Sequence, residues 1–228
     1  MEDLRATLMA NAYPGRGLVW ARLPGGAWCG AYFLSGRSEA SRQREIRLAA
    51  GGELVVVPIG ATEHDALRHY VAATETDDWL VYGNGEQVST VRERLLARQS
   101  PADALQDLAY EPDAPIFTPR ITAVADRRRP GRAWLGMARH ARGDREPGIV
   151  AILAAHDLAP GEALLLTTYD SDGTAIESAE PLVETATTAA HAEEFVDQIW
   201  SALAPERRVA VAAFYPGRLT SSRIHGNA

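Results

Sequence analysis

The sequence predicts an α+β fold with two stacked, mainly antiparallel sheets, and three observations favour it. Apolar stretches of strand length outnumber helix signals by about three to one. Turn sequences that suit antiparallel neighbours, Arg129-Pro-Gly131 and Asp170-Ser-Asp-Gly173, separate some of these stretches. The helix signals are grouped, whereas a parallel βαβ sheet would alternate them with strands. We therefore expect helices to cover the outer faces of two packed sheets.

The predicted strands are apolar runs bounded by Gly, Pro or Asp. They lie at 18–21, 27–34, 54–59, 79–82, 121–125, 133–138, 149–155, 163–168 and 209–214. Such runs are long enough to be strands and too short to be most helices.

Three segments predict helices. Between 87 and 98 the apolar residues recur at helical spacing. Ser100 and Pro101 form a good helix start, with a hydroxyl N-cap and proline at the first helical position, and the helix should end near 109. A third helix over 189–203 gathers Phe195, Ile199 and Trp200 on one face.

Length and charge limit the classes of protein. The 228 residues, 46% of them hydrophobic, suit a single domain over 1–218, and the polar residues 219–228 should form a flexible tail. The net charge of −7 argues against a nucleic-acid or membrane partner. The acidic start lacks a signal-peptide pattern, so a cytoplasmic location is expected. A homo-oligomer is left open.

Neither a disulfide nor a metal site is expected. Cys29 is the single cysteine and lies in an apolar run, which indicates a core residue. His64 and His69 are five residues apart and so miss a shared helical face, and no zinc motif occurs. We expect no metal and no cofactor.

Every basic side chain is an arginine, and four of them fall within 37–47. The absence of lysine excludes Schiff-base and P-loop chemistry. Arg37 and Arg42 flank small residues, including Ser38, and predict a loop that holds an anion, because a guanidinium binds phosphate or carboxylate bidentately. Arg44 and Arg47 are interpreted as a solvated face. Genomic base composition can also replace lysine by arginine without functional meaning.

Three further segments are candidates for the site. The turn at 11–17 is either a plain turn or a nest that aims Arg16 at an anion. Asn84 and Gly85 lie between a strand and a helix, where ligands often bind, although a simple tight connection fits equally. The proline-rich stretch 110–120 predicts rigid backbone that fixes Glu111, Thr118 and Arg120.

These segments together resemble the archaeal-type IMP cyclohydrolase family and its bacterial relatives. The resemblance rests on Tyr-Pro-Gly-Arg-Gly at 13–17, the string from Ala31 to Arg44, Asn84-Gly85, and Glu111-Pro-Asp-x-Pro-x-Phe-Thr-Pro-Arg-Ile121. Weaker matches follow at 168–173 and 199–209. The likeness therefore covers nearly the whole chain.

The resemblance implies a four-layer α-β-β-α architecture like that of N-terminal-nucleophile hydrolases. It also implies cofactor-free closure of 5-formamidoimidazole-4-carboxamide ribotide to IMP with loss of water. By position Glu111 and Arg42 would be catalytic, and Arg16, Arg37 or Arg42 would hold the 5′-phosphate of this phosphorylated nucleoside. The residues at 38, 84, 85, 118 and 120 complete the expected substrate contacts.

Two positions depart from the family pattern. Ala73 stands where a tyrosine is usual, and Ser89 replaces an aspartate. Tyr70 or Tyr82 could supply the missing phenol in space. The departures leave two alternatives open: cyclodehydration of another substrate in a specialised pathway, or nucleotide binding without catalysis.

Overall fold

The computed structural model describes residues 1–60, 69–141, 148–172, 174–180 and 182–227, and it is an α+β fold with two mainly antiparallel sheets. The helices are α1 (Leu4–Ala10), α2 (Glu39–Arg42), α3 (Gln87–Leu96), α4 (Pro101–Gln106) and α5 (Ala192–Ala202), with a 3-10 turn at Leu219–Ser221. The strands are β1 (Glu2–Asp3), β2 (Arg16–Arg22), β3 (Trp28–Ser35), β4 (Arg44–Leu48), β5 (Leu54–Pro58), β6 (Tyr70–Glu75), β7 (Trp79–Gly83), β8 (Arg120–Asp126), β9 (Arg132–His140), β10 (Gly148–His156), β11 (Glu162–Thr167), β12 (Tyr169–Asp170), β13 (Glu177–Ser178), β14 (Val183–Ala186), β15 (Arg208–Phe214) and β16 (Arg223–Gly226).

Each large sheet has seven strands. Sheet A has the order β1-β14-β11-β2-β3-β15-β16, and sheet B has the order β10-β9-β8-β7-β6-β5-β4. Neighbours pair antiparallel within the described residues, except that β1 runs parallel to β14. Sheet B is a meander in which each strand pairs antiparallel with the next along the chain. Helices α3 and α4 lie in the connection between β7 and β8.

The main core lies between the two sheets. Alternation along β3 shows how it forms, because Tyr32 and Leu34 face sheet B, whereas Phe33 faces the opposite side. Tyr82 of sheet B meets Phe214 of sheet A edge to face, with ring centroids 5.1 Å apart. Both faces of the central strands are buried, which explains why their sequences are continuously apolar.

Helices pack on the outer face of each sheet. Phe195 and Ile199 of α5 join a second core with sheet A and with Leu4 of α1. On sheet B, Val91 of α3 and Leu105 of α4 belong to a third core. No helix in the described part of the chain is long and apolar enough to cross a bilayer.

Strand ends from both sheets meet at one end of the molecule, which we call the site edge. In sheet A, β2 begins there at Arg16 and β3 ends there at Ser35. In sheet B, β6 begins there at Tyr70, and β7 ends at Gly83 beside the start of β8. Side-chain contacts between the two sheets, described below, join these ends.

All nine predicted strands and all three predicted helices are confirmed as elements, and the hairpin at 129–131 joins β8 to β9. The turn at 170–173 joins only the short strands β12 and β13, and Gly173 lies outside the described residues, as does His64. The sequence did not predict α1, β4, β6 or β16. That residues 1–218 form a single domain stays a prediction.

The C-terminal residues differ from the flexible tail that the sequence predicts. After the 3-10 turn, β16 pairs antiparallel with β15 and forms an edge of sheet A. His225 of β16 stacks on Trp200 of α5, with ring centroids 4.3 Å apart. The polar composition that suggested a tail is that of a mostly exposed edge strand.

Candidate functional site

Arg16 and Glu111 form a buried ion pair at the site edge, between the start of β2 in sheet A and the loop that precedes β8 of sheet B. An Nη2 of Arg16 donates to Oε1 of Glu111, and the side chains are only 11% and 4% exposed. Burial raises the pKa of the Glu111 carboxyl, and the charge of Arg16 offsets part of that rise. Burial acts to lower the pKa of Arg16, but the charge of Glu111 keeps that pKa above its ordinary value. The pair brings together two segments that the sequence singled out separately.

The backbone around Arg16 is held tightly by Thr168. The amide of Arg16 donates to Thr168 Oγ1 at 3.1 Å, and its carbonyl accepts from the Thr168 amide at 2.9 Å. Gly15 precedes it with φ of +70°, and a Cβ at this position would lie 2.2 Å from Thr168 Oγ1. Only glycine fits a turn that is both left-handed and so closely packed.

Glu111 is held by a short hydrogen-bonded loop. Its amide donates to the Thr118 carbonyl at 2.9 Å, and the Thr118 hydroxyl lies 2.5 Å from Asp113 Oδ2 and 2.6 Å from the Tyr169 hydroxyl. Because a carboxylate only accepts, Thr118 donates to Asp113 and accepts from Tyr169. Burial raises the pKa of Tyr169 to about 12, so this phenol keeps its proton. Both hydrogen bonds of the Thr118 hydroxyl therefore stabilise the loop that carries Glu111.

Asn84 is fully buried, and its side chain holds the backbone segment that leads into β8. Its side-chain amide donates to the Pro119 carbonyl at 2.8 Å, and its oxygen accepts from the Ile121 amide at 2.8 Å and from Gln87 Nε2 at 3.0 Å. These bonds fix the start of β8. Gly85 lies next to Glu111, whose Oε1 would be 3.6 Å from a Cβ at residue 85.

Arg120 lies at the start of β8, close enough to Glu111 for its charge to favour the ionised carboxylate. Its Nη2 donates to Oε1 of the exposed Glu86 at 2.9 Å. Its Nε is buried without a hydrogen-bond partner among the described residues, and so are Arg16 Nε and Gln87 Oε1. Other buried polar atoms elsewhere in the described chain also lack a partner, among them Arg22 Nε and Trp20 Nε1. What is particular to this place is that two donors and an acceptor lie around one buried carboxylate, where a polar ligand could satisfy them.

Two phenols and a further arginine adjoin the ion pair. The hydroxyls of Tyr32 and Tyr70 are 2.7 Å apart, and both lie within electrostatic reach of Arg16. Arg44 is only 4% exposed, and its Nε donates to the Ser41 carbonyl at 2.7 Å. The expectation that Arg44 belongs to a solvated face is therefore wrong. The strand alternation of β4 turns Arg44 inward, while Arg47 is exposed as expected.

Arg37, Ser38 and Arg42 lie on an exposed loop at the rim of the site edge. The loop starts beside Arg16, because the amide and hydroxyl of Ser35 both donate to the Gly15 carbonyl at 2.7 and 2.8 Å. Arg42 Nη1 donates to the Arg37 carbonyl at 2.9 Å, and the Ser38 hydroxyl caps α2. The structure places these residues near the ion pair without a contact to it.

No group of three or more His, Cys, Asp or Glu suited to a metal ion occurs within the described ranges. Cys29 is buried, and burial raises the pKa of its thiol to about 12, which keeps it protonated in the core.

A comparison with protein-family models gives a match over residues 13–218 to the family described as "IMP cyclohydrolase-like protein". The chain belongs to this IMP cyclohydrolase-like family. Its sequence is also similar to a protein named IMP cyclohydrolase from Methanopyrus kandleri (strain AV19), with 31% identity over 129 residues. That alignment covers 54% of this chain and 62% of the relative, so the chain spans less than two thirds of that protein's length.

The family resemblance that the motifs predict is thus confirmed, and the structure places the two positions that depart from the family pattern. Ala73 is fully buried in the core between the sheets. Tyr82 lies in that core as well and donates to the Val19 carbonyl at 2.9 Å, whereas Tyr70 reaches the neighbourhood of Arg16. Ser89 is exposed on α3. Of the two phenols considered, Tyr70 is the one that lies near the Arg16–Glu111 pair.

Sequence reasoning missed several polar residues of this site, namely Tyr32, Arg44, Gln87, Asp113 and Tyr169. Gln87 and Asp113 adjoin recognised motifs, and closer attention to those neighbours could have found them. Arg44 is buried because it lies on the inward face of β4. Since the sequence did not predict β4, it could not predict that face.

Proposed function

We propose that this chain closes the six-membered ring of 5-formamidoimidazole-4-carboxamide ribotide to give IMP and water. Membership of the IMP cyclohydrolase-like family supports a reaction of this kind. The observation that carries the proposal is the buried Arg16–Glu111 pair, surrounded by unpaired donors and an unpaired acceptor. An intramolecular ring closure needs little more from an enzyme than positioning, proton transfer and support for an oxyanion.

Glu111 is the proposed base. The carboxamide nitrogen of the substrate attacks the formyl carbon, a C–N bond forms, and an N–H proton passes to Glu111. The formyl oxygen becomes an oxyanion, which Arg16 and Arg120 stabilise until Glu111 returns the proton to it. The resulting hydroxyl leaves as water with the remaining proton of the formamido nitrogen, again relayed by Glu111, and the ring C=N bond forms. A positioned base of this kind contributes ~10² to 10⁴ in rate.

Arg37 and Arg42 are the proposed phosphate ligands. They are exposed, they flank Gly36 and Ser38, and the Arg42 guanidinium is already tied to the loop backbone. With its 5′-phosphate bound at this rim, the substrate would extend its imidazole ring toward the buried Arg16–Glu111 pair. Of the two roles that the family resemblance implies for Arg42, catalysis or phosphate binding, this proposal assigns it phosphate binding.

Several finer predictions accompany this proposal. The arrangement of α1 and α5 on sheet A, and of α3 and α4 on sheet B, fits the four-layer order of N-terminal-nucleophile hydrolases, and kinship with that fold remains our proposal. Independence from cofactors and a cytoplasmic location are predictions on the same footing, and a homo-oligomeric state stays open.

Incubation of the protein with the formamido ribotide, followed by the absorbance of IMP, tests the proposal. Glu111→Gln keeps the shape of the side chain and should abolish turnover. Absence of turnover by folded wild-type protein would overturn the proposal. If IMP nevertheless raised the unfolding free energy, by about 2.7 kcal/mol at a hundredfold excess over Kd, the chain would be a nucleotide-binding protein without catalysis.

A further inference from the structure

Gln87 has a buried side chain whose orientation is fixed. It is the first residue of α3 and is 1% exposed. Its Nε2 donates to Asn84 Oδ1 at 3.0 Å and to the Ile121 carbonyl at 3.2 Å. Both partners can only accept, so the NH₂ group must face them and the carbonyl oxygen must face the other way.

The carbonyl oxygen of Gln87 is directed toward Gly85 and the neighbourhood of Glu111. A Cβ at residue 85 would lie 2.6 Å from Gln87 Oε1 and 3.6 Å from Glu111 Oε1, so the two oxygens flank the same small space. Gln87 Oε1 has no hydrogen-bond partner among the described residues. A buried acceptor without a donor is unfavourable, which indicates that a donor reaches it at some stage.

The reaction supplies such a donor inside the protein. Each time Glu111 removes a proton from the substrate, its carboxylate becomes a carboxylic acid with an O–H group. That group needs an acceptor in a buried site. The charged groups that face Glu111 are Arg16, Arg120 and Asp113. Neither arginine can accept a hydrogen bond, and the Asp113 carboxylate already accepts from the amide and hydroxyl of Thr118.

We propose that Gln87 is a positioning residue that accepts a hydrogen bond from Glu111 whenever Glu111 carries the proton. The residue acts through Glu111 and does not touch the reacting atoms. Its catalytic meaning rests on the proposed function, but the hydrogen bond itself belongs to the ligand-free protein. Burial and Gln87 then act in the same direction, because both favour the neutral carboxyl.

The test is a titration of Glu111 in the full-length, ligand-free chain. The infrared band of protonated carboxyl groups is followed against pH, and the contribution of Glu111 is identified by its loss in Glu111→Gln. Gln87→Met keeps the size of the side chain but removes the acceptor, so the midpoint should fall by roughly half to one pH unit. Gln87→Glu places a second carboxyl group next to Glu111, and it should raise the Glu111 midpoint because two neighbouring carboxylates repel each other.

Thr122→Val is the matched control. Thr122 is also buried at the β8 start, and its hydroxyl also lacks a partner among the described residues, but it is not part of the site. This variant should leave the Glu111 midpoint unchanged. If Gln87→Met does not fold, Gly85→Ala replaces it, because the added methyl would push the Gln87 oxygen aside and lower the midpoint in the same way.

An unchanged midpoint in Gln87→Met would overturn the proposal. Equal midpoint shifts in Gln87→Met and Thr122→Val would also overturn it, and so would a lowered midpoint in Gln87→Glu. Either result would mean that looser packing admits water to Glu111, which lowers its midpoint without any contact from Gln87. The outcome is independent of turnover. A shift of the expected signs in a protein that does not convert the formamido ribotide would support the Gln87 contact and refute the proposed reaction.

Discussion

Glu111 can act as a base only in its ionised form, and its surroundings influence that form in opposite directions. Burial raises its pKa, while the contacting guanidinium of Arg16 holds the rise in check. Arg16 also needs Glu111, since a buried guanidinium without a counter-charge is costly. Under the proposed mechanism the two residues would therefore set both the stability of the site and the pH range of the reaction.

Replacing Arg16 by Gln should move the acid limb of the kcat profile to higher pH. Without the Arg16 guanidinium, Arg120 remains to offset the burial of Glu111, so the pKa of Glu111 rises further and a higher pH is needed to ionise the base. The loss of one partner of a buried ion pair should also cost about 3 to 5 kcal/mol of unfolding free energy. Kinetics over a pH series and chemical denaturation measure the two effects.

Arg22→Gln is the control for this prediction. Arg22 lies at the other end of β2, where its Nη1 donates to the Leu158 carbonyl at 3.2 Å, and it lies over Trp28. The same substitution there should leave the acid limb in place. An acid limb that moves to lower pH in Arg16→Gln would contradict the assignment of Glu111 as the base.

At the scale of elements, the strands and helices that could be predicted are those that are buried along their whole length or along one whole face. Strands such as β3 and β15 are buried on both faces, so their sequences are apolar throughout and read as strands. β4 and β16 lie at sheet edges and mix polar with apolar residues, and α1 has only seven residues. β4 pairs with β5 and β16 pairs with β15, so each is recognisable as a strand only once its neighbour along the chain is in place. α1 packs in the same core as α5, which is far away in the sequence.

The same reasoning applies to the candidate site. The segments around Arg16, Asn84 and Glu111 could be singled out because turn-forming and proline-rich sequences surround them. Gln87 could have been noticed as a neighbour of Asn84 and Gly85, but the burial of its side chain and of Arg44 could not be predicted. Each polar group is compensated by a backbone carbonyl of another segment, that of Ile121 for Gln87 and that of Ser35 for Arg44. Polar side chains are exposed by default, and tertiary contacts alone reverse that expectation.

β16 offers a test at this scale. Deleting residues 223–228 removes its pairing with β15, the stack of His225 on Trp200, and the bond from the Asn227 side chain to the Arg208 carbonyl at 2.7 Å. We expect a loss of at least about 2 kcal/mol of unfolding free energy, since each hydrogen bond contributes ~1 kcal/mol and the ring stack a similar amount.

Arg223→Gln, which changes an exposed side chain of β16 and keeps the strand, should stay within ~0.5 kcal/mol of the wild type. Denaturant titration measures all three proteins. A truncated chain as stable as the full one would restore the flexible tail that the sequence predicts.

At the scale of the whole molecule, charge is distributed unevenly. The chain carries a net charge of −7, yet Arg16, Arg37, Arg42, Arg44 and Arg120 all lie at the site edge or on its rim. An acidic surface repels polyanions, while a local group of guanidinium donors still attracts one small phosphorylated ligand. This distribution favours a nucleotide over a nucleic acid as the partner.

The rim arginines allow that argument to be tested with a matched pair. Arg42→Gln should raise KM for the formamido ribotide about tenfold with little change in kcat, because a charged hydrogen bond to a remote phosphate contributes equally to ground-state and transition-state binding. Arg47→Gln removes the same charge from an exposed position on β4 and should leave KM unchanged. The wild-type KM should also rise with ionic strength, and this dependence should be weaker in Arg42→Gln. Equal effects of the two substitutions would show that only the overall charge matters and that the loop around Arg42 is not a phosphate site.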